Sequence, residues 1–283
     1  MKRIIISVFA ITFLNFQPAF GQSQPVIISN LNPRQGETVL LKFPDDNSRP
    51  QSVSFNNIDA PIFTYKNSLV SILGIGAGQT PGSYDLRINF TNGQSFAKIL
   101  RVLKVKVPVV NLPIPKQVGL SPDELLTNLA SGNAVLNSAF ASSTPHLYFT
   151  ESFGLPLSDN RRLASVFGEV RNTGGNMVRH LGVDFVAPIG APVWAINGGK
   201  VIRAYEDRVY GNTVVLDHGE GIYSLYLHLN AIKVKVGSVL QKGSLIGWVG
   251  ETGLATAPHL HLSVKIGTVS VNPLKFVSVF ASK

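Results

Sequence analysis

The run Pro258-His259-Leu260-His261-Leu262 near the C-terminus constrains this chain more than any other stretch. Two histidines two positions apart in an apolar run predict a β-strand, and residues i and i+2 of a strand project from the same face. His259 and His261 are therefore expected to lie side by side, so that one can bind a metal while the other handles protons. Upstream, His180 and Asp184 add an imidazole and a carboxylate four residues apart. Two histidines and one carboxylate are a ligand set that a catalytic zinc uses, with the fourth position left for water.

Spacing alone leaves two interpretations of these residues open. A histidine beside a strand is more often a hydrogen-bonded structural residue than a ligand, and the His-x-x-x-Asp spacing is a weak signal by itself. Asp184 stands in the apolar context Val183-Asp184-Phe185-Val186. A carboxylate buried in such a context needs a partner, which a metal ion would supply.

Composition narrows the class of protein. The chain of 283 residues is long enough for about two domains, and its 45% hydrophobic and 14% charged residues favour packed β-structure. It has no cysteine, which excludes disulfides and thiolate metal sites. The formal net charge of +9 favours attraction to an anionic polymer such as a cell wall or membrane surface. The basic residues are scattered without interleaved aromatic residues, so we do not expect nucleic-acid binding.

The N-terminus has the pattern of a secretory signal peptide over residues 1–21. Two basic residues precede an apolar core, and the small residues Ala19 and Gly21 are placed for cleavage before Gln22. The apolar run falls short of the roughly 20 residues that a membrane span needs, which disfavours a short anchor, and no other segment predicts a span. We therefore expect export, to the periplasm or cell envelope in preference to the extracellular space.

Residues 22–107 are predicted to form an immunoglobulin-like β-sandwich. Every second residue from Tyr84 to Phe90 is apolar, which is typical of a half-buried strand, and Asn92-Gly93 then marks a hairpin turn. Similar short runs occur at Thr38–Phe43, Val53–Phe55 and Leu69–Ile75. Several short strands separated by turn residues favour a sandwich, and we interpret this region as a binding or spacer module.

Residues 108–150 are predicted to be a linker with one helix, and residues 151–283 a second β-domain. Three prolines give the start of the linker a stiff, extended character. Ser121-Pro122-Asp123-Glu124 is a good helix start, with Ser121 as the cap and Glu124 completing a capping box. The helix is expected to end near Gly132 or to continue to Phe140. The second domain is rich in glycine and valine with regular turns, and no helix is expected in it.

The second domain closely resembles a known family over roughly residues 150–275. The matching residues occur in the family's order: Val166-Phe167-Gly168, His180-Leu-Gly-Val-Asp184, Ala187-Pro188-Ile-Gly190-Ala-Pro192-Val193, Gly211-Asn212, Asp217-His218-Gly219, Tyr226-Leu227-His228-Leu229, the glycines 237, 243, 247, 250 and 253, and Pro258-His259-Leu260-His261. The family is that of the lysostaphin-like (LytM-type) zinc metallopeptidases, which cut peptidoglycan peptides. A joint match of this density is highly specific.

The resemblance implies a particular fold and a particular site. The expected fold class is all-β: the immunoglobulin-like sandwich, a short helical linker, and a lysostaphin-like antiparallel β-domain with a groove floored by one catalytic Zn²⁺. The implied zinc ligands are His180, Asp184 and His261. The implied catalytic residues are His228 and His259, two imidazoles near the metal, one to take a proton and one to stabilise the oxyanion or protonate the leaving amine. Which of the two does which is left open.

The resemblance also implies a function. The expected protein is a secreted zinc-dependent endopeptidase that hydrolyses peptide bonds in peptidoglycan, with D,D-endopeptidase action on cross-links favoured over glycyl bridges. The alternative is a non-catalytic LytM-like regulator that binds and activates cell-wall amidases, a class that has lost metal ligands. A third interpretation is a structural wall-binding protein that acts through its N-terminal β-domain. The oligomeric state is not predicted.

Three positions depart from the family pattern. Leu262 and Ser263 stand where family members commonly carry an aromatic residue and a glutamate, and Ala257 where a glycine is usual. If that glutamate supports a metal ligand, its replacement is expected to weaken metal affinity. No residue expected to touch the metal is missing, so an inactive copy is not expected.

The other candidate residues are interpreted more simply. His218 is expected to be a turn or packing residue, and His146 a solvated loop residue. Tyr210 and Tyr226 can either line the groove or pack in the core.

The linker helix is a candidate for control of the site. Because the family includes members whose N-terminal region or linker occupies the open position of the metal, Asp123, Glu124 and Asn128 are candidates for blocking it.

Overall fold

The computed structural model describes residues 26–45, 49–115, 119–140, 144–158 and 162–281. The predicted signal peptide, residues 1–21, lies outside the described residues. Across the described ranges, neither helix is both long and apolar enough to cross a bilayer.

The N-terminal region is a β-sandwich of two antiparallel sheets. Its strands are β1 (Ile27–Ile28), β2 (Thr38–Lys42), β3 (Pro50–Phe55), β4 (Ile58–Ala60), β5 (Ile62–Tyr65), β6 (Ser68–Gly74), β7 (Gly82–Phe90) and β8 (Ser95–Val102). One sheet has the order β1-β2-β6-β5 and the other β4-β3-β7-β8. The alternation predicted for β7 holds, since Leu86, Ile88 and Phe90 are buried between the sheets. The immunoglobulin-like expectation is met at the level of a sandwich.

The linker contains a strand as well as the predicted helix. Helix α1 (Pro122–Ala139) begins with the expected capping box, in which Ser121 and Glu124 satisfy each other's backbone N–H groups. Strand β9 (Val109–Leu112) was predicted only as extended chain, yet it pairs in parallel with a strand of the second domain. Residues between the prolines retain backbone N–H groups, and these can join a sheet that a proline would interrupt.

The C-terminal domain is built on a ten-stranded sheet. Its strands are β10 (Leu163–Ser165), β13 (Val183–Val186), β14 (Pro192–Trp194), β15 (Gly199–Asp207), β16 (Gly211–Gly219), β17 (Ile222–Ile232), β18 (Val239–Leu240), β19 (Leu245–Val249), β20 (His259–Ile266) and β21 (Val269–Val271). The main path runs β10-β13-β20-β17-β16-β15-β18. A separate hairpin of β11 (Val170–Thr173) and β12 (Asn176–Arg179) forms a three-stranded sheet with β9. The all-β fold class is confirmed.

The expectation of no helix in the second domain was wrong. Helix α2 (Pro273–Ala281) closes the described chain. The side chain of Asn272 accepts hydrogen bonds from the backbone N–H groups of Leu274 and Lys275 at its start. Phe276 and Phe280, four residues apart, are buried on one face. Asn272 and Pro273 are typical of a helix start, but the valines between Phe276 and Phe280 favour a strand, and the sequence was therefore interpreted without this helix.

The two β-regions share one hydrophobic core. Tyr65 of the sandwich contacts Phe280 of α2, with ring centroids 5.2 Å apart. Phe153, in the segment after α1, lies 4.7 Å from both Phe149 and Phe276. The same buried cluster continues into the inner strands of the C-terminal domain. The N-terminal region is therefore packed against the domain that carries the candidate site, instead of being tethered to it as a separate module.

Candidate metal centre

The three predicted metal ligands converge on one point. The register of β13 and β20 places Asp184 opposite His261, and Asp184 Oδ1 lies 2.8 Å from His261 Nδ1. His180 directly follows β12, and its Nε2 lies 3.0 Å from Asp184 Oδ1 and 2.9 Å from His261 Nδ1. All three residues are buried. Among the described residues, no other group of three His, Asp or Glu side chains has its ligand atoms this close together.

A glycine between two of the ligands allows this approach. Gly182 crosses directly over the His261 ring, and a Cβ at this position would overlap His261 Nε2 and the carbonyl oxygen of Leu262. Any other residue would have to push β20 away from the turn that carries His180. The Gly in His-Leu-Gly-Val-Asp is thus required by packing.

The hydrogen bonds of the two ligand histidines fix which ring nitrogen is free. His180 Nδ1 lies 3.0 Å from the Val166 carbonyl oxygen, which only accepts, so Nδ1 carries the hydrogen. Ser263 Oγ donates to the Leu181 carbonyl oxygen at 2.8 Å and therefore accepts from His261 Nε2, also at 2.8 Å. His180 Nε2 and His261 Nδ1 are left with lone pairs. Ser263 thus takes up a supporting role where the family commonly has a glutamate.

This donor set fits a metal ion. In the neutral rings, the three converging atoms are two imidazole lone pairs and one carboxylate oxygen, all acceptors, buried and about 3 Å apart. Such atoms repel one another unless a cation lies among them. Two histidines and one carboxylate are typical ligands of catalytic zinc. His180, Asp184 and His261 can therefore hold one metal ion.

Ionisation also favours metal binding. Burial alone would raise the pKa of Asp184, but hydrogen bonds from the His180 and His261 rings in their protonated forms, and the charges of those rings, hold that pKa well below its usual range. Burial lowers the pKa of His261 to about 4. Near neutral pH, Asp184 is thus an anion and His261 a neutral imidazole, the forms that bind metals.

Two further histidines, His228 and His259, lie beside this centre. The ring centroid of His228 lies 4.8 Å from that of His259 and 6.1 Å from that of His261. His259 Nε2 lies 3.8 Å from Asp184 Oδ1. Burial, followed by the charges of His259 and His261, lowers the pKa of His228 to about 3, so this ring is neutral near neutral pH.

Loop carbonyls hold these two rings. His228 Nδ1 donates to the Thr252 carbonyl oxygen at 2.8 Å, and His259 Nδ1 to the Ala257 carbonyl oxygen at 2.7 Å. The backbone of His228 is left-handed, with φ +60°, and a left-handed residue within a strand redirects its side chain. Both rings keep Nε2 free. Sequence spacing gave no sign of this backbone conformation.

The side chains interpreted more simply lie apart from the ligand cluster. His218 is buried in the core, where Nδ1 donates to Gly198 O at 2.5 Å, and His146 is exposed. Tyr226 is fully buried and accepts a hydrogen bond from a backbone N–H, so core packing is its role. The Tyr210 hydroxyl donates to Asn133 Oδ1 of helix α1 at 2.8 Å.

The candidate side chains of the linker helix do not lie at the metal site. The Glu124 carboxylate accepts from the backbone N–H of Ser121 at 2.8 Å, and the Asn128 amide donates to the Glu124 carbonyl oxygen, also at 2.8 Å. Asp123 and Glu124 are absent from the ligand cluster. The structure gives no support to the proposal that these side chains block the metal.

One charged side chain at the centre, Arg171, could not be predicted from the sequence. Arg171 of β11 donates from Nη2 to Asp184 Oδ2 at 2.6 Å and from Nε to Glu169 Oε1 at 3.0 Å. Arg171 precedes Asp184 by 13 positions, and a hairpin lies between them. No spacing rule connects two residues that meet only when the hairpin folds back.

The domain carrying this centre matches a known family and known proteins. The model of peptidase family M23 matches residues 178–273. Peptidoglycan DD-endopeptidase ShyB of Vibrio cholerae is 38% identical over 117 residues, which cover 41% of this chain and 28% of that protein. Lysostaphin of Staphylococcus simulans is 42% identical over 93 residues, covering 32% of this chain and 19% of that protein. The chain therefore spans less than a third of the length of these curated relatives.

One solved structure covers nearly the whole chain. A crystal structure of an M23 peptidase candidate from Pseudomonas aeruginosa aligns with 88% of this chain and 96% of its own, with a TM-score of 0.67 and 25% identity. The likeness thus includes the N-terminal sandwich and the linker, outside the range that the family model matches. The chain carries a lysostaphin-like (LytM-type) domain of peptidase family M23, as its histidine and glycine motifs predict.

Proposed function

We propose that this protein is an exported, zinc-dependent endopeptidase that hydrolyses peptide bonds in peptidoglycan, with the D,D-cross-link as the favoured bond. The observation that carries the proposal is the buried convergence of His180, Asp184 and His261 beside two further imidazoles. His180, Asp184 and His261 would hold a zinc ion, which when bound would supply a Lewis acid and would lower the pKa of a bound water toward about 7. A regulator that had lost its catalytic residues would have no reason to keep all five.

His228 is suited to act as the general base. Nε2 of His228 carries a lone pair because Nδ1 donates its hydrogen to Thr252 O. A base must be deprotonated and within reach of the proton that it removes. The bond to Thr252 O then stabilises the ring in place as it gains a proton on Nε2.

His259 is suited to the opposite task. Its ring is less enclosed than those of the ligands, with 13% of its side chain exposed, and Nε2 faces the Asp184 carboxylate. From this position Nε2 of His259 would donate a hydrogen bond to the developing oxyanion or a proton to the leaving amine.

The surface beside the site supports a peptide substrate. Val186 is paired with His259 in the register and, two residues from Asp184, projects from the same face of β13. It is 42% exposed, and Leu181, next to His180, is 40% exposed. Apolar surface next to paired ligands offers contacts for an extended chain crossing the metal. Peptidoglycan as the source of that chain follows the name of one relative, peptidoglycan DD-endopeptidase ShyB.

Digestion of purified, cross-linked sacculi tests the proposal. The whole chain without residues 1–21 is used, because the sandwich shares its core with the catalytic domain. Mass spectrometry should find new uncross-linked muropeptides, which disappear with a chelator and return with zinc. The identity of the new ends names the bond.

His228→Ala provides the matched control, because it should retain zinc and lose the products. Release of glycyl-bridge fragments alone would replace the cross-link assignment. A zinc-loaded, folded protein that yields no muropeptides but stimulates an added amidase would contradict the enzyme and favour the regulator.

A further inference from the structure

The carboxylate of Asp184 is divided between two sets of partners. Oδ1 faces the ligand nitrogens of His180 and His261, whereas Oδ2 accepts a hydrogen bond from Arg171 at 2.6 Å. Asp184 is buried and the Arg171 side chain is 22% exposed, so the pair is largely shielded from water. A charge-assisted bond of this length fixes the rotation of the carboxyl group. Asp184 consequently presents one oxygen, and not both, to a metal.

Arg171 is itself held in place. Its Nε donates to Glu169 Oε1 at 3.0 Å, and the Glu169 side chain is only 8% exposed. The planar guanidinium therefore bridges two buried carboxylates through two different nitrogens, which a lysine ammonium cannot reproduce with the same geometry. Glu169 also offsets the positive charge that Arg171 brings towards the metal site.

The strand that carries Arg171 depends on the linker. Strand β11 pairs with β12 on one side and with the linker strand β9 on the other, where Val110 lies opposite Arg171. The backbone N–H of Val170 donates to Pro108 O at 3.0 Å, and the Asn172 amide donates to Asn111 Oδ1 at 2.9 Å. This three-stranded sheet is separate from the ten-stranded sheet. Strand β9 thus supplies one of the two flanks of β11.

The start of helix α1 holds the other end of the hairpin. The Asn176 amide donates to the Pro122 carbonyl oxygen at 3.1 Å. A Cβ on Gly174 would lie 2.9 Å from the Ile114 side chain and 3.1 Å from that of Pro122, so the hairpin turn sits directly against the linker. Both flanks of the turn are therefore set by residues outside the range that matches the family model.

From these contacts we infer that Arg171 is a positioning residue for the metal ligand Asp184, and that linker strand β9 holds Arg171 in place. The inference rests on the metal site of the proposed function, not on the substrate. The linker is then a structural part of the metal centre, and a change at residues 109–112 is transmitted to the metal through β11, Arg171 and Asp184.

Arg171→Lys tests the first step without changing the charge. Because lysine keeps the positive charge, the repulsion between this side chain and the metal ion is unchanged. Only the bridge between the Asp184 and Glu169 carboxylates is lost. Zinc affinity, measured by competition with a chromophoric chelator, should fall about 10- to 100-fold, the usual cost of losing an outer-shell partner. The visible absorption of the Co²⁺-loaded protein should change in band position or intensity, because Asp184 is free to rotate.

Arg87→Lys is the matched control. Arg87 also forms an ion pair with an aspartate, Asp85, at 3.0 Å, but the pair is exposed and lies in the sandwich. This variant should keep the zinc affinity and the Co²⁺ spectrum of the wild type. An Arg171→Lys protein with zinc affinity within twofold of the wild type and an unchanged spectrum would overturn the inference, and Arg171 would then serve the fold alone.

Two proline variants test the linker step. Because Pro108 O faces β11, the alternation of an extended strand directs the N–H of Val110 towards β11 and that of Val109 away from it. Val110→Pro removes a pairing group, whereas Val109→Pro changes an exposed position on the free edge of β9. Val110→Pro should weaken zinc binding and alter the Co²⁺ spectrum as Arg171→Lys does, and Val109→Pro should do neither.

The double variant Arg171→Lys/Val110→Pro decides whether the two changes act along one route. If β9 acts through Arg171, zinc affinity in the double variant equals that of Arg171→Lys alone. Losses that multiply would overturn the linker step. If Val110→Pro does not fold, Asn111→Ala, which removes only the bond to Asn172, replaces it in the same cycle. Both readouts use the metal alone, so they stand whether or not peptidoglycan is the substrate.

Discussion

The two halves of the site are held by different kinds of structure. The proposed ligand half, His180, Asp184 and His261, is fixed by paired strands and by buried bonds to Val166, Arg171 and Ser263. The proposed acid–base half, His228 and His259, is held by carbonyl oxygens of a single loop, at Thr252 and Ala257.

The two kinds of support predict that one half controls metal binding and the other controls turnover. Strand register changes only in whole steps, so Asp184 and His261 stay opposite each other, and only the contacts that orient their side chains can be weakened by degrees. A loop can shift by fractions of an ångström and alter the direction of a ring without breaking the sheet. Metal binding should therefore be sensitive to the strands and their supports, and turnover to the loop.

Loss of a proposed metal ligand should have the largest effect, because it should abolish both zinc binding and turnover. His261→Ala removes one of three metal contacts and leaves the Asp184 carboxylate with fewer partners. We expect zinc to be absent from the purified protein by elemental mass spectrometry, and muropeptide release to fall to the level of buffer. Added zinc should restore a chelator-treated wild type but not this variant. Zinc retained at one ion per chain would show that His261 is not a ligand.

Loss of the proposed base should separate the halves. His228→Ala should keep one zinc per chain but lower kcat about 10²- to 10⁴-fold, the usual contribution of a general acid or base. His146→Ala, at an exposed position, serves as a control with unchanged turnover. If His228→Ala loses zinc together with activity, the two halves are not separable.

The ligand half could be predicted because its motifs resemble those of the lysostaphin-like family, which implied His180, Asp184 and His261 as ligands. Spacing alone predicted only that His259 and His261 share a face, because strand geometry is periodic. The capping box at Ser121 and the alternation in β7 were legible for the same reason, since each depends on near neighbours. These features require no knowledge of the tertiary structure.

Features that depend on distant segments were not predictable. Arg171 meets Asp184 only because a hairpin folds back, and β9 pairs with β11 across about sixty residues. The positive φ of His228 and the shared aromatic core of Tyr65 and Phe280 likewise result from packing. Helix α2 is a different case, because the signal at Asn272 and Pro273 was local but was outweighed by β-branched valines.

Ser263, which replaces the family's usual glutamate, tests whether a side-chain partner is needed to orient the His261 ring. The Ser263 hydroxyl accepts a hydrogen bond from His261 Nε2 and donates one to the carbonyl oxygen of Leu181. Ser263→Ala should weaken zinc affinity about 10- to 100-fold, because the ring loses the partner that fixes its free nitrogen. Chelator competition measures the change, and kcat at saturating zinc should stay close to the wild type. Unchanged affinity would mean that β20 alone orients the ring.

His218 lies outside both halves and tests whether acid sensitivity belongs only to the site. Its pKa is lowered to about 4 because it is fully buried, with Nδ1 bonded to Gly198 O and Nε2 2.8 Å from Ser224 Oγ. The unfolded ring binds a proton below about 6.5, so between about pH 6.5 and pH 4 the unfolded state holds more protons. Stability therefore falls as pH falls through this window, by roughly 3 kcal/mol from His218 alone.

Urea unfolding of the metal-free protein between pH 7 and pH 4 measures this effect, because chelation removes the contribution of metal release. His218→Gln should be less stable than the wild type at pH 7, yet lose less stability on acidification. His228 and His261, whose pKa values are also lowered, titrate in both proteins, so the difference between the two pH profiles isolates His218. Parallel pH profiles of the two proteins would show that His218 does not contribute to acid sensitivity, which would then belong to the site histidines.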